Sequence, residues 1–177
     1  MHVSHKIHAP PASRNGMMRS SVYLPLWPLA AYDENWSRAQ VGLWGERAVA
    51  RRLWFEGFSI LAHRWQSRNR SDIDLVAARR DLLLFCEVKV RSGGGDDAWL
   101  TVIDDHRMEN LKDAAAAYLR ESRQTRVNIQ FNAYLARPDP AIPRAPVIEV
   151  SSAYLNPAVI PGWRGIAGGA VFRHSWQ

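Results

Sequence analysis

The sequence predicts an α/β fold in which a central mixed β-sheet is flanked by helices. Three observations indicate this class. Residues 37–56 show a capped helical pattern, residues 72–90 hold two apolar strand patterns joined by a short turn, and an alanine-rich helical pattern at 104–122 precedes another strand pattern at 127–136. With 177 residues, the chain is long enough for one domain with a substantial core.

The first helix is predicted from its capping residues, and it carries one acid in its apolar stripe. Ser37 and Gln40 form a capping box, and Gly57 marks the expected end of the helix. Glu46 shares its helix face with apolar residues three, four and seven positions away, so this carboxylate should face the core. It is either a stray at the helix edge or a group held for an internal partner, and the helix alone leaves both open.

Strand patterns follow the first helix in close succession. Residues 58–64 are predicted to form a strand, and residues 65–71 a polar loop. Two apolar strands at 72–78 and 82–90 are then separated only by the turn at 79–81. This spacing predicts an antiparallel hairpin.

The composition of the two ends differs from that of the middle. Residues 1–36 lack periodicity and are expected to form a flexible N-terminal extension, whereas residues 37–136 are expected to form the domain. The stretch 137–177 is rich in Pro and Gly and is expected to be a C-terminal extension that wraps the surface or stays loose, with one short strand at 147–150.

Composition also limits the partners and the compartment. The net charge is +6, and the excess is almost all arginine, which suits contact with phosphate and favours a nucleic-acid partner. The single cysteine, Cys86, lies mid-strand and is expected to be a small buried residue, so a disulfide framework within the chain is excluded. No apolar run approaches the ~20 residues that span a bilayer, and we expect a cytoplasmic protein without membrane contact.

The hairpin carries charged residues within otherwise apolar strands. Alternation places Asp72 and Asp74 on one face of the first strand, and Glu87 and Lys89 on one face of the second. Burying charges without partners is costly, and a divalent cation with a phosphate would supply a partner. Mg²⁺ takes carboxylate oxygens from one or two side chains together with water and phosphate, and Asp74 with Glu87 offers that set.

The alternative is a cross-strand salt bridge on a solvated sheet face, since opposite charges often pair across strands. Two details count against it. Leu83 and Phe85 share the face of Glu87 and Lys89, which predicts that this face is partly buried. Glu46 adds a third acid from an apolar helix stripe, where it could bind a second metal ion or a metal-bound water.

Together, these residues resemble a known pattern. Glu46, then Asp74, then Glu87 and Lys89 resemble the PD-(D/E)XK nuclease superfamily, whose members share the restriction-endonuclease-like fold. More narrowly, the blocks at 45–50 (GERAVA), 72–77 (DIDLVA), 85–91 (FCEVKVR) and 114–119 (AAAAYL) resemble the YraN-like family, which is related to archaeal Holliday-junction resolvases. The resemblance covers about residues 38–136.

The resemblance implies roles for these residues. Asp74 and Glu87 would be metal ligands for Mg²⁺ or Mn²⁺, Lys89 the catalytic lysine and Glu46 the helix acid. Family members usually have Gly-Glu where this chain has Ser71 and Asp72, so Asp72 is expected to act beside the site rather than as a principal ligand. A lysine often opens the second helix of relatives, where Arg107 or His106 stands here, and the Arg-Phe-Asp of their last core strand is missing.

Two functions remain open on this basis. The first is a metal-dependent endonuclease that hydrolyses DNA phosphodiesters, including branched DNA, and junction-cutting relatives suggest a homodimer. The second is a non-catalytic nucleic-acid-binding or adaptor protein that keeps the fold. In either case the expected nucleic-acid contacts are the arginines that flank the hairpin in sequence and open the second helix: Arg64, Arg68, Arg70, Arg79, Arg80, Arg91 and Arg107.

Overall fold

The computed structural model describes residues 28–68, 71–91, 105–123 and 127–153. Its helices and strands follow one another in the order that the sequence predicts. They are α1 (Arg38–Phe55), β1 (Ser59–Gln66), β2 (Asp72–Arg79), β3 (Leu82–Val90), α2 (Asp105–Ser122), β4 (Asn128–Arg137) and β5 (Val147–Ala153). The predicted α/β class with a mixed sheet and flanking helices is therefore confirmed.

The five strands form one sheet in the order β1-β2-β3-β4-β5. Neighbouring strands are antiparallel except for β3 and β4, which are parallel. Since parallel neighbours need a crossover connection, α2 lies between them in the chain. The two acid-bearing strands, β2 and β3, are central, so their side chains face covered surfaces on both sides.

The helices cover opposite faces of the sheet. On the α1 side, Leu53 packs against Leu75 and Cys86. On the α2 side, Leu111 and Tyr118 pack with Phe85. Because side chains alternate along a strand, β3 contributes its even-numbered residues to the first core and its odd-numbered residues to the second.

Both ends of α1 are formed as predicted. The Ser37 hydroxyl accepts a hydrogen bond from the Gln40 backbone N–H, and the Gln40 side chain accepts one from the Ser37 backbone N–H. Gly57 has φ of 84°, in the left-handed region where glycine is favoured, and it ends the helix. The capping box therefore sets where the helix starts, and hence where Glu46 lies along it.

The expectation that β1 ends at residue 64 was wrong. The strand continues to Gln66, and Trp65, expected in a polar loop, is 4% exposed and belongs to the α2-side core. The cause is Arg64, whose φ of 49° breaks the alternation of side chains along the strand. His63 and Arg64 therefore both point towards α1, and Trp65 returns to the opposite face.

The sheet extends beyond the expected domain boundary at residue 136. The predicted strand near 147–150 is present and runs to Ala153, paired with β4 from Phe131 to Arg137. Residues before the helix also pack on the fold, since Leu29 is 9% exposed and joins Trp44 and Ala136 in a small core. The glycine-rich stretch 93–95 and most of both expected extensions lie outside the described residues.

Candidate active site

Asp74 lies where β2 and β3 separate. The last paired residues of the two strands are Leu75 and Cys86, so the ladder stops one residue before Asp74. The Val88 backbone N–H, which points towards β2, instead donates a 2.7 Å hydrogen bond to Asp74 Oδ2. We call this place the β2/β3 fork. It lets a carboxylate lie between strands rather than on only one face of the sheet.

The surroundings of Asp74 oppose its ionisation. Burial and then the charge of Glu87 raise its pKa to about 7, with a smaller contribution from Glu46, against the opposing effects of the Val88 hydrogen bond and Arg107. The charges of Glu87 and Glu46 therefore both disfavour the ionised form of Asp74.

Glu87 is held by two cations on the α2 side of the sheet. Its side chain is fully buried, its Oε1 lies 2.7 Å from Lys89 Nζ, and Arg107 Nη2 donates to its Oε2 at 2.5 Å. Arg107 Nη1 also donates to Asp72 Oδ1 at 2.7 Å. Burial disfavours the charged guanidinium, but the hydrogen bonds and charges of Glu87 and then Asp72 raise the pKa of Arg107 above its ordinary value.

Glu46 is held by two residues of β1 on the α1 side. Arg64 binds both carboxylate oxygens, with Nε 2.7 Å from Oε2 and Nη2 3.0 Å from Oε1, and His63 Nε2 hydrogen-bonds Oε2. Burial acts to raise the pKa of Glu46, but the hydrogen bonds from His63 and Arg64 outweigh it, and the pKa is lowered. Glu46, at 6% exposure, is thus an ionised acid facing the protein, which settles the choice that the helix alone left open.

The structure brings some predicted arginines to the acids and not others. Arg64 and Arg107 contact them directly. Arg79 and Arg80 lie at the opposite end of the hairpin, since five strand residues from Asp74 correspond to roughly 16 Å, and Arg79 donates to the Glu56 carbonyl. Arg68 and Arg91 are exposed at strand ends, and Arg70 lies outside the described residues.

His63 was missed by the sequence reasoning. Regular alternation along β1 cannot place both His63 and Arg64 on the side of Glu46, and only the left-handed backbone at Arg64 allows it. Two adjacent basic residues directly after an apolar strand pattern were the available signal. Left-handed backbone at arginine is uncommon, and the sequence gives little warning of it.

Two kinds of feature are absent from the described residues. Within these ranges, no group of three or more His, Cys, Asp and Glu side chains is arranged to hold a metal ion. Neither described helix is long and apolar enough to cross a membrane. The acids are arranged as ion pairs around the fork and not as a protein-only metal cage.

These observations define a class: a small α/β protein with a buried cluster of acids and cations where two central strands separate. Residues 45–150, more than half of the chain, match the model of the "Uncharacterised protein family UPF0102". The chain belongs to this family, which is the YraN-like family that the sequence blocks resemble.

Individual relatives agree with the family match. A UPF0102 protein of Streptomyces coelicolor is 32% identical over 84 residues, which cover 48% of this chain and 65% of the relative, just under two thirds of its length. One from Parafrankia is 33% identical over 93 residues, covering 52% of this chain and 78% of the relative. One from Rhodopseudomonas palustris is 33% identical over 118 residues, which cover 66% of this chain and 84% of the relative.

Proposed function

We propose that this protein is a Mg²⁺-dependent endonuclease that hydrolyses phosphodiester bonds in DNA, with the restriction-endonuclease-like fold of the PD-(D/E)XK superfamily. One observation carries the proposal. Asp74 lies in the β2/β3 fork beside a fully buried Glu87 that is ion-paired with Lys89. A buried cluster of this kind costs folding free energy, and a catalytic role explains why it is kept.

The acids at the fork fit a hard cation. Asp74 and Glu87 supply the one or two carboxylates that Mg²⁺ usually takes from a protein, with water and phosphate as its other ligands. The pKa of Asp74 is raised partly by the charge of Glu87, and this repulsion would be relieved by a cation. Both oxygens of Glu46 accept hydrogen bonds from Arg64, so the expected metal role of Glu46 stays a prediction.

Each side chain then has a distinct task. When bound, the cation would polarise the phosphate and lower the pKa of a water molecule. Lys89 neutralises charge on the attacked phosphate and orients the water, and its ion pair with Glu87 holds the ammonium in place. Arg107 supplies a second cation for the phosphate. Glu46 is held ionised by His63 and Arg64, and it can accept a hydrogen bond from the attacking water.

A cleavage assay tests this function. The full chain is incubated with Mg²⁺ or Mn²⁺ and with linear duplex, single-stranded or four-way-junction DNA. We expect cleavage that EDTA prevents and that Asp74→Ala or Lys89→Ala reduces about 100-fold or more. Asp113→Ala is the matched control, because Asp113 is an exposed acid on α2. No cleavage, or cleavage that survives Asp74→Ala, would contradict the proposal.

A second candidate function is DNA binding without turnover. Its support is that the acids already have cationic partners: Glu87 pairs with Lys89 and Arg107, and Glu46 with Arg64. Salt-sensitive DNA binding without cleavage on any substrate would favour this candidate.

Size-exclusion chromatography with light scattering would test the homodimer expected from junction-cutting relatives.

A further inference from the structure

A basic cleft lies on the opposite side of α1 from Glu46. It has a volume of about 480 Å³ and lies between residues 28–29, the second half of α1 and residues 144–148. We call it the α1 cleft. Its principal lining side chains are Arg51, Arg52, Phe55, Arg144, Leu29 and Ile148.

The charge of the α1 cleft favours an anion. Three arginines line it, and none of the lining residues that the structure describes is acidic. Arg52 is fixed in place, because its Nε donates to Glu56 Oε1 at 2.8 Å and its Nη1 donates to the Ile148 carbonyl at 2.6 Å. Arg51 and Arg144 are exposed. Guanidinium groups suit phosphate oxygens in particular.

The same cleft exposes an aromatic ring. Phe55 is 69% exposed and Trp54 beside it is 45% exposed, with their ring centroids 5.1 Å apart. The Arg51 guanidinium lies 5.7 Å from the Phe55 ring centroid. An exposed aromatic ring next to cationic side chains is the combination with which proteins stack bases and hold the backbone of single-stranded nucleic acid.

The cleft is separate from the acids. Phe55 follows Glu46 by nine residues, which corresponds to about 14 Å along the helix and half a turn around it. The two residues therefore lie on opposite sides of α1. A chain bound in the cleft would contact the protein without occupying the β2/β3 fork.

We propose that the α1 cleft binds a single strand of nucleic acid, with backbone phosphates at Arg51 and Arg144 and a base stacked on Phe55. The volume falls in the range of sites that hold small ligands, and it suffices for one nucleotide of the strand. That the anion bound in the α1 cleft is a nucleic acid rests on the proposed function. The cleft would hold an unpaired strand apart from the place where cleavage occurs.

Binding without cleavage tests this proposal. The anisotropy of a labelled oligo(dT) is measured with the full chain in EDTA over a range of salt concentrations. We expect Arg51→Glu and Arg144→Glu each to weaken binding about fivefold or more and to reduce its dependence on salt. Phe55→Leu keeps the apolar character but removes the ring, and we expect a loss of about fivefold. Arg120→Glu is the control for charge, since Arg120 is exposed on α2.

The outcomes separate this proposal from the proposed function. Unchanged oligo(dT) affinity in the three cleft variants would contradict strand binding in the α1 cleft. Metal-dependent cleavage by the same variants would still support the proposed nuclease function. Loss of affinity equal to that of Arg120→Glu would also contradict strand binding in the cleft, as would competition by poly-glutamate as strong as that by oligo(dT). Asp113→Ala should keep oligo(dT) binding within about twofold, because Asp113 is exposed on α2 and lies outside both the cleft and the fork.

Discussion

Asp74 is the residue at which the proposed metal site and the stability of the fold conflict most directly. Its pKa is raised to about 7 by burial and then by the charge of Glu87, with a smaller contribution from Glu46. A carboxyl group whose pKa is higher in the folded state favours folding when protonated. The folded protein therefore loses stability as the pH rises from the unfolded pKa of about 4 to the folded pKa, and the loss is complete above that value.

Replacing Asp74 with asparagine should therefore stabilise the metal-free protein at high pH. The asparagine side chain stays neutral and can still accept the Val88 hydrogen bond, so we expect a gain of roughly 1–3 kcal/mol in unfolding free energy at pH 8. The gain should shrink towards pH 4, where the parent's carboxyl group is largely protonated. Urea denaturation at several pH values measures it. A variant less stable than the parent at pH 8 would show that the repulsion at the fork is absent.

Arg107 should stabilise the buried Glu87 together with Lys89. Arg107→Ala removes one of the two cations that hold the buried Glu87 and leaves Lys89 beside it, so we expect a cost of roughly 1–3 kcal/mol in unfolding free energy. Glu87→Gln in the Arg107→Ala background should restore part of it, because the buried carboxylate that lost one of its two cations is then neutral. Thermal denaturation of the two single variants and the double variant measures this coupling. Additive effects would contradict a direct pair.

Mn²⁺ gives a further test of the same residue. If Arg107 occupies oxygens that a cation also uses, Arg107→Ala should bind Mn²⁺ more tightly than the parent does. The added Mn²⁺ should then raise the melting temperature of the variant by more than it raises that of the parent. Isothermal titration with Mn²⁺ measures the affinity without any cleavage. An equal or weaker affinity would mean that Arg107 does not compete with the cation.

At the scale of elements, the position of α1 on the sheet depends on Gly45. A Cβ added there would lie 2.3 Å from Val90 Cγ2 and 3.6 Å from Val88 Cγ1. The glycine is thus required for close approach of α1 to β3. Its neighbour in the chain is Glu46, so any displacement of the helix would move this acid relative to the fork.

Gly45→Ala should destabilise the protein despite the better helix propensity of alanine. Overpacking typically costs about 1–3 kcal/mol, which exceeds the gain of roughly 1 kcal/mol from propensity. Val90→Ala should recover much of the loss by removing the clashing methyl group. Gly42→Ala is the matched control, since its Cβ would meet only ordinary contacts at 3.8 Å. Equal urea midpoints for the two glycine-to-alanine variants would show that close packing is not required.

At the scale of the whole molecule, the sheet needs its last strand. β5 covers β4 with seven paired residues, and Ile148 and Val150 pack against the α1-side core. A chain that ends at residue 140 would expose the edge of β4, and we expect it to lose several kcal/mol of stability and to bind a hydrophobic dye. A chain that ends at residue 153 keeps every described strand and is the control. Cooperative unfolding of the shorter chain would contradict this role.

Much of the fold could be predicted from the sequence because its signals are local. The Ser37 capping box, the alternation along β3 and the alanine-rich pattern of α2 depend on neighbouring residues only. Alternation along β2 fails beside Asp74, because Ile73 belongs to the α2-side core and Leu75 to the α1-side core. Packing of the segment before α1 could not be predicted in this way. It depends on distant partners, such as the hydrogen bonds from Tyr32 N to the Pro143 carbonyl and from Trp44 Nε1 to the Ala30 carbonyl.

The candidate site was predictable in part for the same reason. Alternation placed Glu87 and Lys89 on one face, and helix periodicity turned Glu46 inwards, and the structure confirms both placements. The partners of these acids were not predictable. His63 reaches Glu46 only through a left-handed residue, and Arg107 reaches Glu87 from a helix of 18 residues that follows a stretch outside the described ranges.

The acids and cations around the fork nearly cancel in charge. With all four carboxylates ionised, and His63 left aside, the cluster carries one excess negative charge. Its acids are Glu46, Asp72, Asp74 and Glu87, and its cations are Arg64, Lys89 and Arg107. One divalent cation would reverse the sign of this excess, and one phosphodiester would then restore neutrality. Cation and nucleic acid should therefore each tighten the binding of the other, by the same factor in both directions.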